Sequence, residues 1–319
     1  MSRLYKILIS LAIVIAILIL PINGQAFAAP ASIPKISAQD FFLLGVNNTS
    51  LGNFKQAVED FTQAIALDAN MPAAYSNRCL VYMQLGDYQQ AQEDCTKSLQ
   101  LNPKNTEVYL NRGLAYQRQK QYQAAIADYN QAIELKPHDL RGYYNRGLTH
   151  FELQNYQQAL FDYNQAISQN LRQDSQELAT VYNDRGLAQF QLGNISAANL
   201  DFSLAIRLGA DNARAYYNRG CICHRQRNYT GAIRDFTLAL QHHPHQTDSE
   251  VVANLRGSAY VNRGLARYQL GYQQAAFEDL QRGAECFCKQ GEMLAYHQTL
   301  KLLQKLRQQS KSVWESEIG

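Results

Sequence analysis

The sequence predicts an all-α solenoid of seven helix–turn–helix repeats closed by a C-terminal capping helix. Three observations carry that expectation. Tyr-x-Asn-Arg-Gly recurs at Tyr109–Gly113, Tyr143–Gly147, Tyr216–Gly220 and Tyr260–Gly264, with variants at Tyr75–Cys79 and Tyr182–Gly186, and neighbouring copies are mostly 34 residues apart. A period of that length marks a stacked array, because one such unit cannot bury its own apolar face. Apolar residues make up 46% of the 319, with seven prolines, enough for a continuous core with disorder confined to the ends.

The N-terminal residues form a separate element. Arg3 and Lys6 give a basic start, Ile7 to Leu20 is an apolar run, Pro21 and Gly24 break it, and Ala26-Phe27-Ala28 supplies small residues for cleavage. This is the layout of a secretory signal over 1–28, followed by a linker over 29–37. The apolar run is shorter than the ~20 residues of a spanning helix, which favours cleavage over an uncleaved anchor. Membrane contact is expected only through this segment, if it stays attached. Without its two basic residues the +3 charge falls close to neutral, which excludes the electrostatic footprint of a nucleic-acid binder.

The repeats fill 38–290 as units 38–71, 72–105, 106–139, 140–173, 179–212, 213–246 and 257–290. In the third, Tyr109, Arg112, Gly113 and Tyr116 form one helical stripe, and Tyr122, Ala125, Tyr129 and Ala132 another. Lys120-Gln121 makes the turn and Pro137 ends the pair. Gly113, Ala125 and Ala132 are small where two helices must approach; the tyrosines fill the space around them. Two extra segments, 174–178 and 247–256, read as extensions of first helices, with Asp174-x-x-Glu177 and Thr247-x-x-Glu250 as capping boxes. Residues 291–309 read as the capping helix and 310–319 as a flexible tail.

This pattern of aromatic, small residue, Ala, aromatic, Ala and Pro resembles the tetratricopeptide-repeat family across 38–290. The resemblance implies a right-handed superhelix whose first helices line the concave face and bind proteins or peptides. The phrasing of the repeats is similar to exported bacterial members, including cyanobacterial ones, which implies a periplasm or thylakoid lumen.

Where the family generally has an apolar residue, this chain has Arg78, Arg112, Arg146, Arg185, Arg219 and Arg263. Each second helix carries an aspartate: Asp60, Asp94, Asp128, Asp162, Asp201, Asp235 and Asp279. Charges near a core must be paired, so structural Arg–Asp pairs are expected. Pairing within a unit strands Asp60, because Leu44 stands where unit 1 would need its arginine. Pairing each Asp with the Arg of the next unit, Asp60 with Arg78 through Asp235 with Arg263, leaves only Asp279, which His297 can meet. The second register explains more and is the one expected.

Candidate ligand contacts follow from the same step of each first helix: Asn77, Asn111, Asn145, Asn218 and Asn262, interrupted by Asp184. A row of amides can donate to and accept from a peptide backbone, as in the asparagine ladder of some peptide-binding members of the family; the alternative is a purely structural row. Leu80, Leu110, Leu114, Tyr144, Leu148, Phe151, Leu187, Phe190, Tyr217, Val261 and Leu265 would give an apolar groove beside it. Phe42, Leu110 and Tyr144 occupy positions where a carboxylate-clamping member would want lysine.

Six cysteines offer an alternative chemistry. Cys79 and Cys95 replace the small residue and the aromatic of unit 2 and face each other as a disulfide or as two buried hydrophobes. Cys221-x-Cys223-His224 and Cys286-x-Cys288 lack the spacing of common zinc sites, so neither a metal nor a cofactor is expected. The catalytic motifs of hydrolases, kinases and metalloproteases do not appear. The expected function is a non-enzymatic protein-binding scaffold outside the cytoplasm, in assembly of an envelope or membrane complex. A thiol protein and a self-associating structural protein are the alternatives.

Overall fold

The computed structural model describes residues 36–169, 175–209, 212–242 and 250–318. The expected signal segment and most of the linker lie outside them, as do Asp174 and Thr247 of the two expected capping boxes. Among the described residues there are fifteen α-helices and no strand, packed as a solenoid. Each unit contributes a first and a second helix: α1 (Ala38–Ser50) and α2 (Phe54–Leu67), α3 (Pro72–Leu85) and α4 (Tyr88–Leu101), α5 (Thr106–Arg118) and α6 (Tyr122–Leu135), α7 (Leu140–Glu152) and α8 (Tyr156–Gln169). The array continues with α9 (Ser175–Gln191) and α10 (Ile195–Leu208), α11 (Ala213–Arg225) and α12 (Tyr229–Gln241), α13 (Glu250–Gln269) and α14 (Gln273–Lys289), then α15 (Met293–Ile318). Two first helices are longer than the rest, α9 with 17 residues and α13 with 20. The C-terminal helix is also longer than expected: it has no break at 309 and runs on to Ile318. Among the described residues no helix is long and apolar enough to cross a membrane.

The array starts at a capping box. Ser37 Oγ accepts from Asp40 N–H and the Asp40 carboxylate accepts from Ser37 N–H, which satisfies two donors that a helix start leaves unpaired. Within each unit the two helices meet where a ring lies against a glycine. A Cβ on Gly113 would stand 2.6 Å from the Tyr129 ring, and one on Gly147 2.8 Å from Tyr163. Gly45 with Phe61, Gly186 with Phe202 and Gly220 with Phe236 repeat the contact. These rings are buried, as are the alanines on either side, such as Ala125 and Ala132 beside Tyr129. Burying one such ring is worth roughly 1.5–3 kcal/mol, and only a residue without a side chain lets it come so close.

Unit 2 departs from this. Cys79 and Cys95 stand in the positions of the glycine and the ring, and they form a disulfide with Cα atoms 5.5 Å apart. A covalent bond replaces the ring-on-glycine contact. Unit 7 departs too, with Leu280 on the Gly264 backbone and a second close approach of Gly257 to Phe287.

The turn between first and second helix places one residue in the left-handed region. It is glycine at Gly52, Gly86, Gly193 and Gly271, but Lys120, Gln154 and Arg227 hold the same conformation at φ 60°. A side chain there costs on the order of 1 kcal/mol. Successive units then stack so that first helices approach one another more closely than second helices do. The first helices therefore form the inner, concave row.

Two stability changes of opposite sign follow. Gln154→Gly should raise the unfolding free energy by about 1 kcal/mol by removing the left-handed cost. Gly147→Ala should lower it by about 1–3 kcal/mol by forcing Tyr163 out of its packing. Urea denaturation of the two variants beside the parent checks both.

Candidate functional site

The concave row is set by the charges beneath it. Each arginine donates two hydrogen bonds to the aspartate of its own unit: Arg78 to Asp94, Arg112 to Asp128, Arg146 to Asp162, Arg185 to Asp201, Arg219 to Asp235 and Arg263 to Asp279, all at 2.6–3.0 Å. This corrects the expected register, in which each aspartate paired with the next unit's arginine. The guanidinium does reach the neighbouring unit, but through a different residue. Its third donor meets Thr62, Thr96, Asn130, Asn164, Ser203 or Thr237 on the preceding second helix. These short polar residues, two after each aspartate, recur in the sequence at the repeat spacing, the signal that could have found them.

The ends of the ladder are solved separately. Asp60, left without an arginine, accepts from Asn48 Nδ2 at 2.6 Å. Asp279 takes a second arginine, Arg267, at 2.8 Å. His297, the expected partner of Asp279, instead lies with Nδ1 2.6 Å from Met293 O on its own helix. In unit 4 His150 stands at the position of Asn48 and Arg267, 4.0 Å from Asp162, and burial holds its pKa below the usual range. The arginines also lie over tyrosines of their own helices, for example Arg112 over Tyr109 and Tyr116 at 5.7 and 5.8 Å.

The asparagine row divides into two kinds. Asn77 donates to Ala73 O on its own helix. Asn218 donates to Asn183 Oδ1 at 2.9 Å and Asn262 to Tyr217 OH at 3.0 Å, so these amides join neighbouring units. Asp184 is buried and accepts from Tyr144 OH at 2.7 Å and Asn183 Nδ2 at 3.0 Å, with Arg214 3.4 Å away. Burial, with the Asp184 charge, holds the Tyr144 phenol protonated well above its ordinary range. Asn111 and Asn145 remain half-buried side by side in units 3 and 4, with no side-chain partner among the described residues. Asn183 and Arg214 carried no signal in the repeat pattern, since neither position holds one residue type from unit to unit.

The apolar groove is narrower than expected. Leu110 is buried, and Leu114, Tyr144, Leu148, Phe151, Leu187, Phe190, Tyr217, Val261 and Leu265 are only half exposed; of these positions Leu80 alone is open, at 38%. Packing within units and between neighbouring first helices closes it. Tyr144 packs on Tyr163, Phe151 on Tyr156, and the Arg225 guanidinium covers Phe190. What is left is a mixed surface in which the two open amides stand among partly covered rings and leucines.

The cysteines outside unit 2 do not assemble. Cys221 lies among Tyr217 and Asn262, and burial raises its thiol to about 11. Cys223 is also raised by burial. Residues two apart on a helix point to different faces, and among the described residues no group of three His, Cys, Asp or Glu is placed to hold a metal.

Family models match this architecture directly. The tetratricopeptide repeat model matches residues 72–105, 106–139, 140–170 and 213–246, and a second TPR repeat model matches 49–86. The chain belongs to the tetratricopeptide-repeat family. Its repeats make it a protein–protein interaction scaffold, on a fold that is typically non-enzymatic. No curated protein matches the sequence. Among solved structures, a tetratricopeptide repeat protein from Parabacteroides merdae is similar at 18% identity, covering 82% of this chain and 98% of that one, with TM-score 0.63. PilF of Pseudomonas aeruginosa is similar at 18% identity, covering 72% and 96%, with TM-score 0.57. A chain of the APC/C hetero-tetramer Cut9–Hcn1 is similar at 16% identity and TM-score 0.57; 70% of this chain spans 42% of that one. At these identities the likeness is one of fold.

The tetratricopeptide core makes its own chemical prediction. Denatured without reductant, the protein should expose four reactive thiols to a thiol reagent, those of Cys221, Cys223, Cys286 and Cys288. Reduction should then lower stability by roughly 3 kcal/mol, the loop-closure value for a link across about 16 residues. Six reactive thiols would contradict the Cys79–Cys95 bond.

Proposed function

We propose that this protein holds a peptide or protein partner on its concave face, centred on units 3 and 4, outside the cytoplasm and in the assembly of an envelope or membrane complex. One observation carries the reading. Of the five asparagines on the inner row, Asn111 and Asn145 are the adjacent pair without internal partners. Side by side, they can each donate to and accept from the backbone of an extended segment laid along the groove. Leu114, Leu148 and Tyr144 beside them offer partly open apolar contact. A half-satisfied amide gains most from a ligand that completes its bonds.

Export is supported by two independent features. The N-terminal residues carry a basic start, an apolar run and a small-residue cleavage site. The Cys79–Cys95 disulfide is buried in the core of unit 2, a bond that forms and persists in oxidising compartments.

The test is capture of partners from the exported fraction by the full chain, beside a variant with Asn111→Ala and Asn145→Ala. The double variant should lose the partner while keeping the parent's helicity and melting midpoint. A second variant, Asn77→Ala, should keep it, since Asn77 is turned onto its own helix. Retention by the double variant would move the site off the inner row.

A further inference from the structure

The concave face ends at a cleft that the repeat pattern does not explain. The capping helix α15 lies where the first helix of an eighth unit would, and it stands against α11 and α13 over a cavity of about 320 Å³. Val261, Phe287 and Leu302 form its apolar wall. Tyr217, Ser258, Asn262, Gln298 and Thr299 supply its polar side chains. Asn262 donates to Tyr217 OH at 3.0 Å, which leaves its carbonyl oxygen free as an acceptor among the described residues. Gln298 is exposed at the rim.

We propose that this cleft is an anchor pocket for one uncharged side chain of the bound partner, that of an aromatic or branched aliphatic residue whose backbone N–H, or side-chain O–H or N–H where it has one, is accepted by Asn262. The proposal rests on the reading that the concave face holds a peptide, and it names a second, specificity-setting contact at the far end of that face.

Size and charge decide the occupant. Pockets for drug-sized ligands run from roughly 300 to 1,000 Å³; at about 320 Å³ this one stands at the lower end of that range, with room for one large side chain. No charged residue lines it. A lysine or aspartate entering it would lose water with no countercharge in return, a cost of several kcal/mol. An apolar side chain gains from Val261, Phe287 and Leu302, and a hydroxyl or amide at its edge meets the open acceptor. The polar floor is already held in place by the Asn262–Tyr217 bond, so the acceptor is fixed before anything binds. Ala295 of α15 is small and lies on the cavity wall, where a larger side chain would enter the space.

The probes are N-acetyl-tyrosinamide, N-acetyl-leucinamide, N-acetyl-lysinamide and N-acetyl-aspartamide, titrated against the full chain by saturation-transfer NMR. The two neutral amides should bind and the two charged ones should not. Ala295→Phe, which fills the cavity, should weaken the neutral amides by roughly tenfold or more. Gln298→Trp, at an exposed position that leaves the core untouched, should weaken them in the same direction. The Asn111→Ala, Asn145→Ala double variant should bind the amides as the parent does, because it alters the groove and not the cleft. Equal binding of charged and neutral amides, binding of none, or full binding by both folded cleft variants would overturn the proposal. Partner capture reports on the groove separately: a partner lost by the asparagine variant and kept by Ala295→Phe would overturn the pocket and leave the groove standing.

Discussion

The structure depends on an arginine that serves two units at once. Each guanidinium is held by two bonds to the carboxylate of its own second helix and by a third to a hydroxyl or amide of the preceding one. The first two bonds fix the crossing of the helix pair, and the third fixes the step to the next pair. A paired buried ion is a weak source of stability, because desolvation offsets most of its attraction. Its effect is geometric: a planar fork with fixed donor directions accepts one arrangement of three acceptors and rejects a slipped one. The ring-on-glycine contacts supply the apolar energy, and the arginines determine where along each helix it is collected.

That geometry explains the inner face. Held at a constant step, the first helices converge until the residues between them touch. Across the junctions of units 4 to 7, Tyr144 donates to Asp184, Asn218 to Asn183 and Asn262 to Tyr217, which takes up those donors. Asn218 and Asn262 bond Asn183 and Tyr217 of the preceding unit; the corresponding residue is Leu110 for Asn145, which offers no acceptor, and Ser76 for Asn111, whose hydroxyl donates to Ala73 O. The open part of the row is a consequence of which residues flank it.

Most of the fold was legible in the sequence because a repeat fixes its own boundaries: Gly113 and Tyr129 recur with the same spacing in unit after unit. The small residue and the ring identified the close approach; their replacement by Cys79 and Cys95 left a disulfide and two buried hydrophobes as equal readings, and the structure has the disulfide. The ion-pair register was not legible. Asp94 lies 16 residues after Arg78, and Asp60 lies at a similar distance before it; chain spacing does not say which second helix faces a given arginine. Counting stranded aspartates favoured the wrong answer, because Asn48 pairs Asp60 without any charge. The groove was overdrawn for a related reason: helical spacing tells which residues share a face, and only packing tells how far Leu110 or Phe190 is covered.

Double-mutant cycles on Arg112 test the central role of the arginine most directly. One cycle removes Arg112 with Asp128, the other Arg112 with Asp94, each by alanine and each read by urea denaturation. The within-unit clamp predicts a coupling on the order of 1–3 kcal/mol between Arg112 and Asp128, and additivity within about 0.5 kcal/mol for Arg112 and Asp94. A larger coupling for Arg112 with Asp94 would contradict it, and with it the account of how the repeats are held in step.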